Sequence, residues 1–202
     1  MTTQILTTDA SERHGDILVV AATSHELAAP NGWRNVVCGV GPVDATAATA
    51  AAIARHAPRA VLHVGIAGAR RARALAPGSL VIGTASRYCD LEIPPQWAPN
   101  TVAASPELLR ALQDAVPDAV ALTIGTSARV GGTSDCDVEA MEGFGVLRAA
   151  QLARVPAIEV RAISNEIEES DRARWHFALA FEAIIRATPT LVVAIQRALA
   201  HA

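Results

Sequence analysis

Residues 140–165, AMEGFGVLRAAQLARVPAIEVRAISN, contain one helix that leads into one strand. Across 137–155 the apolar residues recur at helical spacing, which predicts an amphipathic helix. The segment 156–164 is almost continuously apolar and predicts a buried strand that stops just before Asn165. A helix followed directly by a buried strand is typical of α/β proteins.

The same alternation of strands and helices extends over the rest of the chain. Short apolar runs predict further strands, at 16–22, 35–43, 59–69, 78–88 and in the first part of 118–132. Helices are predicted at 44–57, at 105–116 with Ser105 as N-cap, and twice more after residue 165. The proline-rich segment 89–100 is predicted to be a loop.

Short connections between these elements predict an α/β fold in which helices cover both faces of one sheet. We expect a single domain over residues 1–202, with 1–15 as a polar leader. In such sheets, ligands bind beyond the carboxyl ends of the strands.

Composition excludes several classes of function. The 202 residues are 51% apolar and carry a net charge of −3, with scattered arginines that form no nucleic-acid footprint. The three cysteines lie far apart without CxxC spacing, which predicts neither a disulfide framework nor a zinc site. The N-terminus does not resemble a signal peptide, and no apolar run approaches the ~20 residues that span a bilayer. We therefore expect a cytoplasmic protein with no nucleic-acid partner and no membrane contact.

Three polar residues stand near the predicted strand ends. Glu26 follows the first strand, Glu142 lies in the apolar helix, and Asn165 follows the strand at 156–164. Two have an ordinary explanation by themselves: Glu26 as a helix-dipole partner and Asn165 as a turn residue. Glu142 stands out more, because an unpaired carboxylate is costly to bury in an apolar helix. Because their elements meet at one edge of the sheet, the three together predict a single crevice.

Two glycine turns, GVGP at 39–42 and VGIAG at 64–68, also lie at strand ends. Neither has the spacing of a phosphate-binding P-loop or of a dinucleotide-binding fingerprint. They are compatible with a ligand held against backbone N–H groups, or with simple tight turns.

Four segments, in this order, resemble the signatures of the purine nucleoside phosphorylase/nucleosidase superfamily. They are ILVVAATSHEL (17–27), GVGPVDATAATAAAI (39–53), VLHVGIAGA (61–69) and the segment 140–165. The resemblance implies a three-layer α/β/α domain with a mixed central sheet. It also implies a small-molecule nucleoside substrate, no cofactor, no metal, and a homodimer or larger homo-oligomer.

The resemblance assigns roles to individual residues. It implies that Glu26 activates the attacking water and that Asn165 hydrogen-bonds the purine. It implies that Met141 and Glu142 contact the ribose.

Further residues are implied as lining of the same site. Ala67 and Gly68 are expected beside the sugar and base, and Arg129 and Val130 in the loop that covers the base. Trp175, with Phe177, is a candidate wall for the 5′ end of the nucleoside. Whether Arg129 stacks, pairs with a carboxylate or caps its loop stays open.

Two departures from the family pattern indicate the reaction. The arginine and serine that hold phosphate in phosphorylases are absent, since His63 and Ile66 occupy that signature, so water is the expected nucleophile. Asn165 stands where adenine-specific nucleosidases carry aspartate. An amide donates through its NH₂ group and accepts through its oxygen, which suits a 6-oxopurine.

Within the superfamily, the 6-oxopurine preference together with EAMEGF (139–144), AISN (162–165) and DRARW (171–175) resembles the hydrolases of futalosine. The resemblance therefore implies futalosine as the substrate, a nucleoside of menaquinone biosynthesis with an aromatic carboxylate at its 5′ end. Cleavage releases hypoxanthine and leaves dehypoxanthine futalosine. Three alternatives are an adenine-releasing nucleosidase for methylthioadenosine, S-adenosylhomocysteine or aminodeoxyfutalosine, a phosphate-dependent phosphorylase, and a non-catalytic nucleoside-binding protein.

Overall fold

The computed structural model describes residues 16–94, 96–131 and 135–201, so the predicted leader 1–15 lies outside the described residues. Within these ranges the chain forms eight strands: β1 (Ile17–Ala21), β2 (Arg34–Val37), β3 (Ala60–Ala69), β4 (Leu80–Tyr88), β5 (Thr101–Ala103), β6 (Val120–Thr126), β7 (Val138–Ala140) and β8 (Ala157–Glu166). The four α-helices are α1 (Pro42–His56), α2 (Pro106–Ala115), α3 (Gly143–Leu152) and α4 (Phe177–Ala200). Three-residue 3-10 helices lie at Ser24–Glu26, Arg71–Arg73 and Arg172–Arg174.

All eight strands form one mixed sheet. Strands β2, β1, β3 and β8 run parallel in that order, and β4 joins the far edge of β8 antiparallel. Strand β6 pairs parallel with β4, and β7 bridges β6 back to the end of β3. The sheet therefore closes on itself through β3, β8, β4, β6 and β7. The carboxyl ends of β1, β3 and β8 emerge together at one edge.

Helices cover both faces, as expected for three layers. α1 and α3 pack together on one face, and α2 and α4 pack together on the other. The inward residues of α4, among them Ile184, Leu191 and Ile195, are fully buried against β1, β3 and β8. The mixed α/β/α architecture is thus confirmed.

The first residues of α2 and α1 are set by capping and turn residues that are visible in the sequence. The Ser105 hydroxyl accepts the backbone N–H of Leu108 and caps α2, with Pro106 in the first helical position, as predicted. α1 begins with Pro42 directly after Gly41, whose φ of +94° is readily adopted only by glycine.

Several elements differ from the predictions because strand pairing overrides local pattern. The predicted helix 137–155 is instead the short strand β7, a turn at Met141 and Glu142, and α3 from Gly143. Residues 138–140 are extended because they pair with the ends of β3 and β6. Glu142 therefore precedes the helix and occupies its N-cap position.

The predicted strand 156–164 extends through Asn165 to Glu166, since β3 continues to offer partners there. Directly after the predicted loop 89–100, residues Thr101–Ala103 form β5, which pairs antiparallel with β4 and was not predicted.

The C-terminal region contains one long α-helix rather than two. α4 spans 24 residues and continues through Pro189. It is long and apolar enough, by length and composition, to cross a membrane, so the expectation that no such segment exists was wrong. One face of α4 packs against the sheet, and the core helix of a soluble protein can have the same length and composition.

Candidate active site

A cavity of about 500 Å³ opens at the carboxyl ends of β1, β3 and β8. All the residues that were predicted to form the site line it: Glu26, Ala67, Gly68, Arg129, Val130, Met141, Glu142, Asn165 and Trp175. The structure therefore brings these residues together, while their individual roles stay predictions.

Glu26 is held by three donors. It ends the 3-10 helix after β1 and is buried. Its Oε2 accepts the backbone N–H of Thr23 at 2.8 Å and the Thr23 hydroxyl at 3.0 Å, and its Oε1 accepts the N–H of Ile66 at 3.3 Å. A Cβ on Gly65 would stand 2.9 Å from Oε1, so the glycine leaves the space that this carboxylate needs.

Glu142 is fixed between two elements. It lies at the start of α3, and its Oε1 accepts the N–H of Gly41 at 3.2 Å. Its Oε2 accepts from Arg161 Nη2 at 3.2 Å, in an ion pair that is almost completely buried. A second buried carboxylate thus lines the cavity on a rigid support.

Arg161 is a cavity-lining residue that sequence reasoning did not assign to the site. Its guanidinium also pairs with Glu159 on the same strand, at 2.7 Å from Nε. Burial alone lowers the pKa of an arginine, but the charges of Glu159, Glu142 and Glu26 outweigh it and raise the pKa of Arg161. The signal was available, because Glu159 and Arg161 are charges two residues apart on one face of an apolar strand.

His63 is a core histidine, and both of its ring nitrogens have hydrogen-bond partners. It is fully buried, and burial together with the Arg161 charge lowers its pKa well below the ordinary value, so the ring is neutral. Nδ1 lies 2.9 Å from the Val20 carbonyl and therefore carries the proton. Nε2 is then free to accept from Arg161 Nη2 at 2.5 Å.

A bulge sets the direction of Asn165. Ala67 pairs with Ile163, but Gly68 pairs with Asn165, so Ser164 is an extra residue in β8. The Ser164 hydroxyl donates its one hydrogen to the Asn165 Oδ1 at 2.7 Å, and the Ala67 carbonyl oxygen lies 3.2 Å from the same hydroxyl oxygen. Both Ser164 and Asn165 consequently line the cavity, which simple alternation along a strand would forbid.

The Asn165 amide has unused capacity. Its Nδ2 donates one hydrogen to the Glu166 carbonyl at 2.9 Å, and its Oδ1 accepts from Ser164. One N–H and one lone pair of oxygen remain, because an amide has two donor hydrogens and two acceptor sites.

Aromatic rings form one wall of the cavity. Trp175 and Phe177 have ring centroids 5.4 Å apart, and Phe177 and Phe181 are 6.2 Å apart. The Arg172 guanidinium lies 5.7 Å from the centroid of the Trp175 ring. Arg172 is exposed and lines the cavity.

The loop that carries Arg129 and Val130 covers another side of the cavity. The Ser127 hydroxyl accepts the N–H of Arg129 at 3.0 Å and donates to the Asp90 carboxylate at 3.2 Å. Both Arg129 and Val130 are exposed at the cavity edge.

The described ranges contain no group of three or more His, Cys, Asp and Glu side chains that could hold a metal ion. The free cysteines, Cys38, Cys89 and Cys136, are not part of the cavity lining. Cys38 and Cys136 are buried, as expected for structural thiols, while Cys89 is partly exposed.

Comparison with known proteins shows the family of this chain. The family model described as the phosphorylase superfamily matches residues 32–199. A futalosine hydrolase from Streptomyces coelicolor is 34% identical over 199 aligned positions, which cover 86% of this chain and 83% of that protein.

Solved structures with the same fold include a futalosine hydrolase from Helicobacter pylori. Its TM-score is 0.77 at 15% identity, over 92% of this chain and 99% of that one. Another is a 5′-methylthioadenosine/S-adenosylhomocysteine nucleosidase from Neisseria meningitidis in complex with methylthio-immucillin-A. Its TM-score is 0.76 at 20% identity, over 87% of this chain and 97% of that one.

Proposed function

The chain belongs to the phosphorylase superfamily and is an N-glycosidase, and from this premise we propose that it hydrolyses futalosine to hypoxanthine and dehypoxanthine futalosine. The relative at 34% identity carries the name of that activity. The observation that carries the proposal is the unused N–H and lone pair of the Asn165 amide at the cavity. The reaction belongs to menaquinone biosynthesis by the futalosine route.

Asn165 recognises the base. Its free N–H donates to O6 of hypoxanthine, and its oxygen accepts from a protonated N7. In adenine, the 6-amino group would face the Asn165 N–H instead, and no hydrogen bond forms because both groups are donors. A site built on complementary bonds can discriminate between such bases by roughly 10⁴–10⁵ when the wrong base leaves buried groups unpaired.

Glu26 acts as the general base. Breaking the C1′–N9 bond sends the bonding electron pair to the purine and leaves an oxocarbenium-like ribosyl group. Water then bonds to C1′ and gives its proton to the Glu26 carboxylate, while the departing purine takes a proton from solvent. The three donors to Glu26 orient its carboxylate before substrate arrives.

Glu142 and Met141 hold the sugar. The Glu142 carboxylate accepts from the ribose hydroxyls, and its negative charge stabilises the developing ribosyl cation. Gly41 and Arg161 keep that carboxylate in place through the bonds at 3.2 Å.

The aromatic wall receives the 5′ end. Trp175, Phe177 and Phe181 offer ring faces and edges to an aromatic group. Arg172 forms no ion pair with a carboxylate among the described residues, so its guanidinium is available to the 5′ carboxylate. An aromatic carboxylate suits this wall better than the small thioether of methylthioadenosine.

One experiment tests the proposal. The protein is incubated in phosphate-free buffer with futalosine, inosine or methylthioadenosine separately, and free bases are identified by chromatography. We expect hypoxanthine from futalosine at the highest rate, slower release from inosine, and no adenine. Reaction in ¹⁸O-labelled water should place the label on the sugar product.

Each rival gives a different result. Adenine from methylthioadenosine, with intact futalosine, would replace the proposal by an adenine nucleosidase. Turnover that requires added phosphate and yields a sugar 1-phosphate would indicate a phosphorylase. Binding with no base released over hours would indicate a nucleoside-binding protein.

A further inference from the structure

Glu159 is a fully buried carboxylate that the proposed mechanism does not use. It lies on β8 beneath the cavity, and it is not among the residues that line the cavity. Its Oε1 accepts from Arg161 Nε at 2.7 Å, and its Oε2 accepts from the Ser86 hydroxyl. A Cβ on Gly143 would collide with this carboxylate, so the first residue of α3 leaves room for it.

The Glu159 carboxylate is fully buried and is held by two hydrogen bonds, which indicates a role beyond packing. Replacing a buried ion pair by apolar residues is often neutral or stabilising, so stability alone does not explain Glu159. The carboxylate also lies at the N-terminus of α3, where the helix dipole favours negative charge.

Arg161 connects Glu159 to the cavity. One guanidinium edge bonds Glu159, while Nη2 bonds Glu142 and the unprotonated nitrogen of His63. Nη1 bonds the Ile66 carbonyl at 3.4 Å. Because Nε is hydrogen-bonded to Glu159, the guanidinium is oriented with Nη1 and Nη2 toward the cavity-lining residues Ile66 and Glu142.

The charges in this cluster do not balance. Glu26, Glu142 and Glu159 surround a single guanidinium, and His63 is neutral. Two further titratable groups stand nearby: Glu139 of β7 lines the cavity, and the Cys38 thiol stays protonated because burial and Glu142 raise its pKa to about 12. Without Glu159, the positive charge of Arg161 would act on Glu142 and Glu26 alone.

We propose that Glu159 is a positioning residue for the glycosidic cleavage. It orients Arg161 through Nε and offsets part of its positive charge, so that this charge does not weaken the negative field of Glu142 at the ribosyl cation or the basicity of Glu26 toward the attacking water. The inference rests on the proposed roles of Glu142 and Glu26. It implies that Glu159, which lies outside the cavity, affects both the rate and the pH dependence of the reaction.

Glu159→Gln tests the charge separately from the shape. Glutamine is nearly isosteric, and its oxygen can still accept from Arg161 Nε. Because the variant removes one of the three carboxylates around Arg161, we expect the acid limb of the kcat/KM profile to move to lower pH by about one unit. We expect kcat to fall roughly three- to tenfold with KM almost unchanged. The reason is that Glu26 becomes a weaker base and the site stabilises the ribosyl cation less, and both effects raise the energy of the transition state.

Two matched variants complete the test. Glu159→Asp keeps the charge, so its acid limb should remain within about 0.3 unit of the wild type while kcat falls through poorer alignment. Glu182→Gln removes an exposed carboxylate of α4 and should leave rate and profile unchanged.

The outcomes separate this inference from the proposed function. A wild type that cleaves a different nucleoside overturns the futalosine assignment alone, and the profiles are then measured on the nucleoside it cleaves. A folded Glu159→Gln with the wild-type acid limb and kcat overturns the inference. If Glu159→Gln does not fold, the test rests on Glu159→Asp. An unchanged kcat in Glu159→Asp, or an acid limb shifted to lower pH, would then overturn the proposed role of Glu159.

Discussion

Asn165 and Gly68 face each other across the β3–β8 ladder, immediately after the bulge at Ser164. A Cβ on Gly68 would stand only 3.0 Å from Asn165 Nδ2, so the amide lies directly against the glycine backbone. Asn165 is therefore a strand residue aimed by a bulge, and not the turn residue that its place in the sequence suggested. A side chain held in this way is suited to reading a base.

Asn165→Asp should reverse the preference for the base. A carboxylate cannot donate to O6, so we expect kcat/KM for a 6-oxopurine nucleoside to fall about 100-fold. Activity on the matching adenine nucleoside should hold or rise. The measurement is steady-state base release from inosine and adenosine analogues that share one 5′ group. Equal loss on both bases would show that Asn165 does not read position 6.

Glu26→Gln should lower kcat by 10²–10⁴-fold, the usual contribution of a general base. Substrate affinity should change little, because the amide oxygen still accepts a backbone N–H and the fold around Thr23 and Ile66 is kept. Single-turnover rates and equilibrium dialysis with the nucleoside measure the two effects. Wild-type turnover in a purified Glu26→Gln protein would remove Glu26 from the mechanism, with Glu182→Gln as the matched control.

Arg172→Gln should weaken only substrates that carry a 5′ carboxylate. We expect about a tenfold loss of kcat/KM on futalosine, because one charge-assisted pair is removed, and no change on inosine. Arg174→Gln is the matched control in the same 3-10 helix, since Arg174 pairs with Glu169 at 3.0 Å and does not line the cavity. A parallel loss on both substrates, or in both variants, would exclude a 5′ carboxylate contact.

His63 should make the folded state sensitive to acid. Burial and the Arg161 charge lower its pKa well below 6.5, whereas in the unfolded chain the ring takes up a proton near that pH. The unfolded state then binds more protons, so the free energy of unfolding should fall by up to about 1.4 kcal/mol per pH unit below pH ~6.5. Above pH ~7.5 this contribution is complete and constant.

Urea unfolding at pH 5.0 and 7.5 measures that effect. His63→Gln should lose this part of the pH dependence, whereas the exposed control His201→Gln should retain it. If His63→Gln and the wild type lose the same free energy between the two pH values, His63 is not the group responsible.

Much of the fold could be predicted from local pattern. β1, β3, β4, α1 and α2 lie within a few residues of their predicted bounds, because continuous apolar runs, a serine cap and alanine-rich composition act within each segment. β5 and β7 were missed because each has three residues and exists only through its strand partners. The candidate site residues came from the ordered family signatures, and geometry brings them to one cavity.

Sequence was sufficient for the alternation of elements, the family and the chemical types at the strand ends, because these depend on residue identity and short-range periodicity. Only the tertiary structure shows the bulge that points both Ser164 and Asn165 toward the same cavity. Only the tertiary structure places Arg172 beside the aromatic wall of that cavity. Tertiary structure was needed also for the buried cluster around Arg161, whose carboxylates come from residues 26, 142 and 159. The protonation and orientation of such groups depend on which charges share a buried space, and chain order does not encode that distance.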